Sequence, residues 1–95
     1  MNPALPKLYY VYVLKSINCN RLYIGCTSDL VRRLDEHNSG KCFSTKSYVP
    51  MKLIYYEAYL SKIDAFNREK KLKQFGSGVA KLKIRIQNSL KGRAG

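Results

Sequence analysis

The feature that most constrains the fold is a run of β-branched and aromatic residues near the start of the chain, Leu8 to Leu14, with the sequence LYYVYVL. Such a run is typical of a strand buried on both faces, because a strand with one wet face alternates apolar and polar residues. The segment SINCN that follows favours a turn, and residues 21–26 (RLYIGC) predict a second strand. We expect the two strands to pair as an antiparallel hairpin.

A helix and a third strand are predicted after the hairpin. The helix begins at a cap formed by Thr27 or Ser28 and ends at Gly40. Its predicted apolar stripe consists of Leu30, Val31 and Leu34. A polar loop then leads to a strand at residues 52–57 (KLIYYE).

The C-terminal part of the chain predicts two more helices. Ser61 and Asp64 have the spacing of a capping box, and the helix that they begin runs to about Phe75. Residues 79–90 fit either a helix or a strand, and we take this segment as a helix. The resulting order, β-β-α-β-α-α, predicts an α+β fold in which helices pack on a small sheet.

The net charge indicates the class of partner. Eighteen Lys and Arg face six Asp and Glu, which gives a formal net charge of +12. Self-repulsion of this size weakens a compact state unless a partner neutralises it. Nucleic acid is the polyanion that such a charge favours, and an anionic membrane surface is the alternative.

Length and cysteine content restrict the domain organisation and the compartment. A chain of 95 residues predicts one domain, residues 1–95, with its core at about 8–90. The three cysteines, Cys19, Cys26 and Cys42, lack the spacing of a disulfide framework and are expected to be reduced. The N-terminus has no apolar region of a signal peptide, and no apolar stretch is long enough to span a bilayer. Together these features predict a cytoplasmic protein without a membrane partner.

One carboxylate falls inside an apolar stripe. On the second predicted helix, Ala65, Phe66 and Leu72 share a face, and the helical repeat places Glu69 on that face as well. A carboxylate in such a place is costly unless a cation or a metal ion partners it. The alternative is an ordinary ion pair at the edge of the stripe, because Glu69 lies within the lysine-rich sequence REKKLK.

The first predicted helix presents three polar residues on one face. Asp29, Arg33 and His37 are four residues apart and flank the apolar stripe, which places Arg33 and His37 near the surface of the sheet. A guanidinium can hold phosphate oxygens through two parallel hydrogen bonds, and a histidine can shuttle a proton or donate to phosphate. The alternative is a solvated face with an Asp29–Arg33 ion pair.

Tyrosines are concentrated on the hairpin. The chain has eight Tyr and no Trp, and Tyr12 and Tyr23 lie on different strands of the hairpin. Most strand tyrosines are packing residues with a wet hydroxyl. Gly25 lies two residues after Tyr23 inside a strand, which indicates a close approach of backbone or ligand at that point.

Together these residues resemble the GIY-YIG nuclease superfamily. Two tyrosine triplets, residues 10–12 (YVY) and 23–25 (YIG), are similar to its signature in sequence and spacing. Three later residues match, in order, its helix arginine, a histidine one turn later and its metal-binding glutamate: Arg33, His37 and Glu69. The resemblance covers about residues 8–90 and is greatest to the small single-domain members, which are related to the catalytic domain of the excision-repair endonuclease.

The resemblance implies both fold and activity. The implied fold is a three-stranded antiparallel sheet flanked by helices, with the last segment helical. The implied activity is endonucleolytic hydrolysis of phosphodiester bonds, in DNA or alternatively RNA, for repair or processing. Glu69 would hold one Mg²⁺ or Mn²⁺, and Arg33 would bind the phosphate oxygens. Tyr12 or Tyr23 would position or deprotonate the attacking water, and His37 would assist.

Departures from the family pattern keep other functions open. Tyr10 stands where the signature has glycine, and Cys26 follows the second triplet where some repair nucleases have lysine. Twelve residues after Glu69 stands Lys81, and nothing matches the asparagine that follows the glutamate in several members. The second hypothesis is therefore a non-catalytic basic nucleic-acid-binding module with the same fold. The third is a basic interaction protein of a large ribonucleoprotein.

Overall fold

The computed structural model describes residues 4–74 and 76–92. In this part of the chain the elements follow in the order β1 (Tyr9–Ser16), β2 (Leu22–Thr27), α1 (Leu30–Asn38), β3 (Met51–Tyr59), α2 (Lys62–Lys73), α3 (Ser77–Arg85) and α4 (Gln87–Leu90). The three strands form one antiparallel sheet in the order β2-β1-β3. The predicted α+β fold is confirmed, as is the helical prediction for the last segment.

The central strand β1 is buried on both faces, as its sequence predicts. Val11 and Val13 face α2 and α3, where they pack in one apolar cluster with Ala65, Leu72 and Leu82. Tyr12 and Leu14 face α1 in a second cluster, packed with Met51, Leu30 and Leu34. The sheet is therefore the middle layer of three, with α1 on one face and the later helices on the other.

The first helix differs from its prediction in two places. Its N-cap is Asp29, whose carboxylate accepts a hydrogen bond from the backbone N–H of Arg32 at 3.1 Å. The predicted caps, Thr27 and Ser28, were wrong, because Thr27 belongs to β2 and Ser28 precedes the cap. Val31 is 83% exposed, so it does not belong to the apolar stripe that Leu30 and Leu34 form. The helix ends before Gly40, which has a φ of +77° that favours glycine.

The second helix begins as predicted. The Ser61 hydroxyl accepts a hydrogen bond from the backbone N–H of Asp64 at 3.2 Å. Ala65 and Leu72 are fully buried, whereas Phe66 is 49% exposed and was wrongly placed in the buried stripe. The predicted end at Phe75 lies outside the described residues, and the helix itself ends at Lys73.

The C-terminal helical segment has a break. Ile86 separates α3 from α4 with a φ of −112° and a ψ of 27°. Its side chain is buried with Leu82 in the apolar cluster that contains Val11 and Val13. Strand β3 is longer than predicted at both ends, because its pairing with β1 continues to Met51 and Tyr59. No helix in the described part of the chain is both long and apolar enough to cross a bilayer.

Candidate active site

A chain of hydrogen bonds joins three of the predicted site residues beneath α1. Arg33 Nε donates to Tyr12 Oη at 3.3 Å, and Tyr12 Oη lies 3.0 Å from His37 Nε2. His37 Nδ1 lies 2.7 Å from Thr45 Oγ1. Because the guanidinium can only donate, the tyrosine O–H is free to donate to Nε2, and the ring of a neutral His37 then donates from Nδ1 to Thr45.

Burial fixes the protonation of this cluster. Tyr12 is 2% exposed and His37 is 0% exposed. Burial raises the pKa of Tyr12 to about 12, against the opposing effect of the hydrogen bond from Arg33. Burial, followed by the charge of Arg33, lowers the pKa of His37 below its ordinary value. Near neutral pH, Tyr12 therefore keeps its proton and His37 is uncharged, so the pair serves to hold geometry.

Gly25 makes room for Tyr12. The two residues are opposite each other in the pairing of β1 with β2. A Cβ at position 25 would lie 2.3 Å from the Tyr12 hydroxyl and 2.4 Å from Cζ. The close approach predicted at this glycine is confirmed, and the approaching group is the tyrosine ring itself.

Arg33 is anchored and keeps part of its guanidinium available. Its side chain is 35% exposed and pairs through Nη1 with Glu36 at 3.1 Å. The Asp29–Arg33 ion pair considered from the sequence does not form, because the Asp29 carboxylate caps α1. The hydrogen bond to Tyr12 raises the pKa of Arg33, which therefore remains a cation. Within the described contacts, Nη2 has no hydrogen-bond acceptor and can take a phosphate oxygen.

Tyr23 lies next to this cluster and is more accessible. Its ring centroid is 4.7 Å from that of His37 and 6.2 Å from that of Tyr12. The side chain is half-buried, since β2 is an edge strand. The ammonium of Lys73, on α2, lies 5.8 Å from the Tyr23 ring centroid. Tyr23 thus stands between the α1 side of the sheet and the α2 side.

Two contacts hold α2 in place on the sheet. Ala65 and Leu72 are fully buried against β1. Arg68 pairs with Glu57 of β3, with Nε 2.9 Å from Oε1 and Nη2 3.0 Å from Oε2. Although burial opposes it, this double hydrogen bond holds the pKa of Glu57 below its ordinary value. The position of the next residue, Glu69, is thereby fixed relative to the sheet.

Glu69 lies on the opposite face of the sheet from Arg33. Its side chain is 16% exposed, and Oε1 is 3.6 Å from Lys73 Nζ. It lines a cavity of about 470 Å³ that is also lined by Cys26 and Thr27 at the end of β2. The structure therefore brings Tyr12, Tyr23, Arg33 and His37 together directly. Glu69 lies on the α2 side, where Lys73 contacts both Glu69 and the ring of Tyr23.

The described residues near Glu69 offer a divalent ion one carboxylate, in a cavity that Lys7, Arg32 and Lys62 also line. No group of three or more His, Cys, Asp and Glu side chains occurs in residues 4–74 and 76–92. Mg²⁺ keeps several waters and commonly binds through one or two carboxylates together with substrate phosphates. The cavity beside Glu69 also presents the Thr27 and Ser28 residues and has room for a hydrated ion. Such an ion would displace the Lys73 ammonium from the carboxylate.

The sequence interpretation missed two residues of this site. Thr45 is 1% exposed and orients His37, but it lies in a polar loop with no periodicity that could have singled it out. Lys73 could have been found, because it lies one helical turn after Glu69. Both act on residues that the sequence had already placed in the site.

Comparisons with known proteins agree with this fold. A family model described as the GIY-YIG catalytic domain matches residues 8–77. A UPF0213 protein of Streptococcus agalactiae is 44% identical over 66 residues, which are 68% of this chain and 74% of that protein. A UPF0213 protein of Staphylococcus haemolyticus is 40% identical over 77 residues, 80% of this chain and 92% of that protein. The solution NMR structure of a UPF0213 protein from Bacillus halodurans is 29% identical, has a TM-score of 0.51, and covers 82% of this chain and 83% of its own. The chain belongs to the GIY-YIG catalytic-domain family.

Proposed function

We propose that this protein is a divalent-metal-dependent endonuclease that hydrolyses phosphodiester bonds in nucleic acid, with DNA the favoured substrate and RNA the alternative. Membership of the GIY-YIG family supports a nuclease-like role on nucleic acid, and so does the net charge of +12. The observation that carries the proposal is the buried hydrogen-bond chain from Arg33 through Tyr12 to His37, directly beside Tyr23. Every buried polar atom of this cluster has a hydrogen-bond partner, so the network is rigid and fixes the geometry of the site.

Arg33 is the phosphate ligand in this mechanism. Two of its nitrogens are held, by Tyr12 and by Glu36, so its orientation is set before substrate binds. A preorganised guanidinium stabilises the charge that develops on the non-bridging oxygens of the transition state. Tyr12 and His37 act as positioning residues, because both are buried and neither can contact the substrate in this arrangement.

Tyr23 is the better candidate for activating water. Burial that raises the pKa of Tyr12 to about 12 makes that phenol a poor acid, so its anion is rarely formed. A phenol serves as a base only where nearby positive charge stabilises its anion. Tyr23 is only half-buried, and the ammonium of Lys73 lies 5.8 Å from the centroid of its ring. We therefore assign proton abstraction from the attacking water to Tyr23.

Glu69 would hold the metal ion on the leaving-oxygen side of the scissile phosphodiester bond. When bound there, Mg²⁺ or Mn²⁺ supplies positive charge for the leaving oxygen. The carboxylate is available for this role because its side chain borders the cavity at the end of β2. It becomes free when Lys73, whose side chain is 50% exposed, moves away from it.

The ion pair between Glu69 and Lys73 also supports the second candidate function. A carboxylate already satisfied by a lysine is what a non-catalytic nucleic-acid-binding module with this fold would have. That module would keep the net charge and the fold but would yield no cleavage product. A cytoplasmic location and a role in nucleic-acid repair or processing remain parts of the nuclease proposal.

A cleavage assay separates these functions. Labelled single strands and duplexes of DNA and RNA are incubated with Mg²⁺ or Mn²⁺ and with each variant. We expect Glu69→Gln to abolish product and Tyr23→Phe to reduce the rate by about 10² to 10⁴. The controls are Asp64→Asn on the same helix and Tyr56→Phe on β3, both exposed, which should cleave like the wild type. Wild-type rates in Glu69→Gln would refute the nuclease mechanism, and salt-sensitive binding without product would establish the module.

A further inference from the structure

Three concavities lie one after another along β2, and together we call them the groove; the two nearest the Leu22 end share lining residues. The first is the cavity beside Glu69 at the Cys26 end of the strand. The second, of about 410 Å³, is lined by Tyr23 and Lys73 and continues to Lys83 on α3. The third, of about 360 Å³, shares Lys83 with the second and lies at the Leu22 end of the strand. The groove therefore leads from the candidate active site to a separate pocket at the far end of β2.

That far pocket, here called the lysine pocket, is lined by Lys15 of β1, Lys83 of α3 and Lys91 just after α4, with the amides Asn20 and Gln87 between them. Lys83 and Lys91 are exposed. The ion pairs among the described residues involve other basic side chains, so no carboxylate neutralises these three. Three ammonium groups and two side-chain amides around one concavity can donate hydrogen bonds to phosphate oxygens, although the Lys15 ammonium also donates to the Ser16 carbonyl at 3.3 Å.

The distribution of acidic residues explains why the lysine pocket is uncompensated. The six acidic residues of the chain are Asp29, Asp35, Glu36, Glu57, Asp64 and Glu69. None of them lies in the β1–β2 hairpin or in the last two helices. Residues 70–92 carry seven Lys and Arg and no Asp or Glu. Like charges gathered without counter-charges destabilise a fold, which implies an anionic partner that occupies this end.

We propose that the lysine pocket is a second phosphate-binding site for the nucleic-acid strand, distinct from the site that cuts. This inference rests on the proposed function in one respect: the strand that is cut at the active site is the strand that occupies the lysine pocket at the other end of the groove. Phosphates on one side of the scissile bond bind Lys15, Lys83 and Lys91, and the strand follows β2 from these lysines towards Lys73 and Glu69. Strands too short to reach from the active site to the lysine pocket lose this contribution.

The physical strength of this contact follows from counterion release. Each phosphate that a lysine neutralises changes the slope of log affinity against log salt by about 0.7 on a single strand. Loss of two lysine contacts should therefore reduce the slope by about 1.4. At moderate salt the same loss weakens binding by about tenfold. Both quantities are measurable without any cleavage.

The test is equilibrium binding by fluorescence anisotropy with a chelator present, so that no strand is cut. The variant is Lys83→Gln/Lys91→Gln, and the matched control is Lys71→Gln/Lys81→Gln, two exposed lysines on α2 and α3 that line none of the three concavities. Each protein is titrated against strands of about 16 and about 4 nucleotides, and against vesicles that contain an anionic lipid. Thermal unfolding confirms that all variants fold.

We expect the pocket variant to bind the long strand about tenfold more weakly, with a salt slope smaller by about 1.4, while the control changes by less than about twofold. The short strand should bind equally to all three proteins. An equal loss of strand affinity in the pocket and control variants would overturn the pocket proposal and leave the nuclease proposal standing. A loss of affinity for vesicles alone would have the same consequence and would assign the pocket to a membrane surface. A wild type that binds neither strand would refute both proposals.

Discussion

Gly25→Ala tests whether Tyr12 and its hydrogen-bond chain are held as tightly as the structure indicates. The added methyl would lie 2.4 Å from Tyr12 Cζ, and an ordinary contact begins at 3.4 Å, so the ring has to retreat by about 1.0 Å. The ring is 2% exposed and has no open space into which to move. Overpacking of a core costs about 1–3 kcal/mol, and disturbing the bonds to His37 and Arg33 adds about 1 kcal/mol each. We expect a total loss of about 3–5 kcal/mol.

The same substitution in a Tyr12→Leu background serves as the control. Leucine lacks the ring atoms that the methyl would meet, so the clash disappears. In that background Gly25→Ala should increase the free energy of unfolding by about 0.5–1 kcal/mol, because alanine is favoured over glycine in a strand. Urea unfolding of the wild type, the two single variants and the double variant gives the coupling energy of the cycle. A neutral Gly25→Ala in the wild type, or an equal cost in both backgrounds, would refute the close packing of Tyr12 on Gly25.

Three further predictions concern other parts of the site. Burial lowers the pKa of His37 in the folded state. The stability that the neutral imidazole contributes is therefore complete above the ordinary pKa of 6.5 and is lost as the pH falls towards the lower folded pKa. Urea unfolding from pH 7 to pH 5 should show a loss of up to about 1.4 kcal/mol per pH unit in the wild type, and His37→Gln should not show this loss. Lys73→Met should tighten Mn²⁺ binding up to about fivefold in an EPR titration, since the ammonium no longer competes for Glu69, and unchanged affinity would contradict this competition. Arg33→Lys keeps the charge but loses the fork, so cleavage should fall by about 10² to 10³ while strand binding changes little; equal losses in both would instead indicate a role in binding alone.

The architecture was predictable because its determinants are local. A continuous run of β-branched and aromatic residues at 8–14 is typical of a central strand in a sheet covered on both sides, and α2 begins at the serine cap that the sequence displays. The rotation of α1 about its helix axis was not predictable. Its apolar residues fit a stripe that includes Val31, but docking on β1 and β3 selects Leu30 and Leu34 and leaves Val31 in solvent.

The site was predictable as a set of residues more than as an arrangement. The spacing of Arg33 and His37 correctly places both against the sheet, yet the burial of His37 depends on Thr45, which a loop brings in from outside α1. The helical repeat places Glu69 beside buried positions, but it does not show that β2 is an edge strand or that Lys73 contacts both Glu69 and the ring of Tyr23. Contacts between distant segments depend on strand order and loop path, which periodicity does not specify.

A crystal structure of the Tyr23→Phe protein with an uncut strand and Mn²⁺ tests most directly whether Glu69 and Arg33 act on one phosphodiester bond. The anomalous signal of manganese should lie at the Glu69 carboxylate, with Lys73 moved away. A backbone phosphate should bind Arg33 within about 3.2 Å. Manganese at another carboxylate, or Glu69 still paired with Lys73 while the strand occupies the groove, would contradict the proposed site.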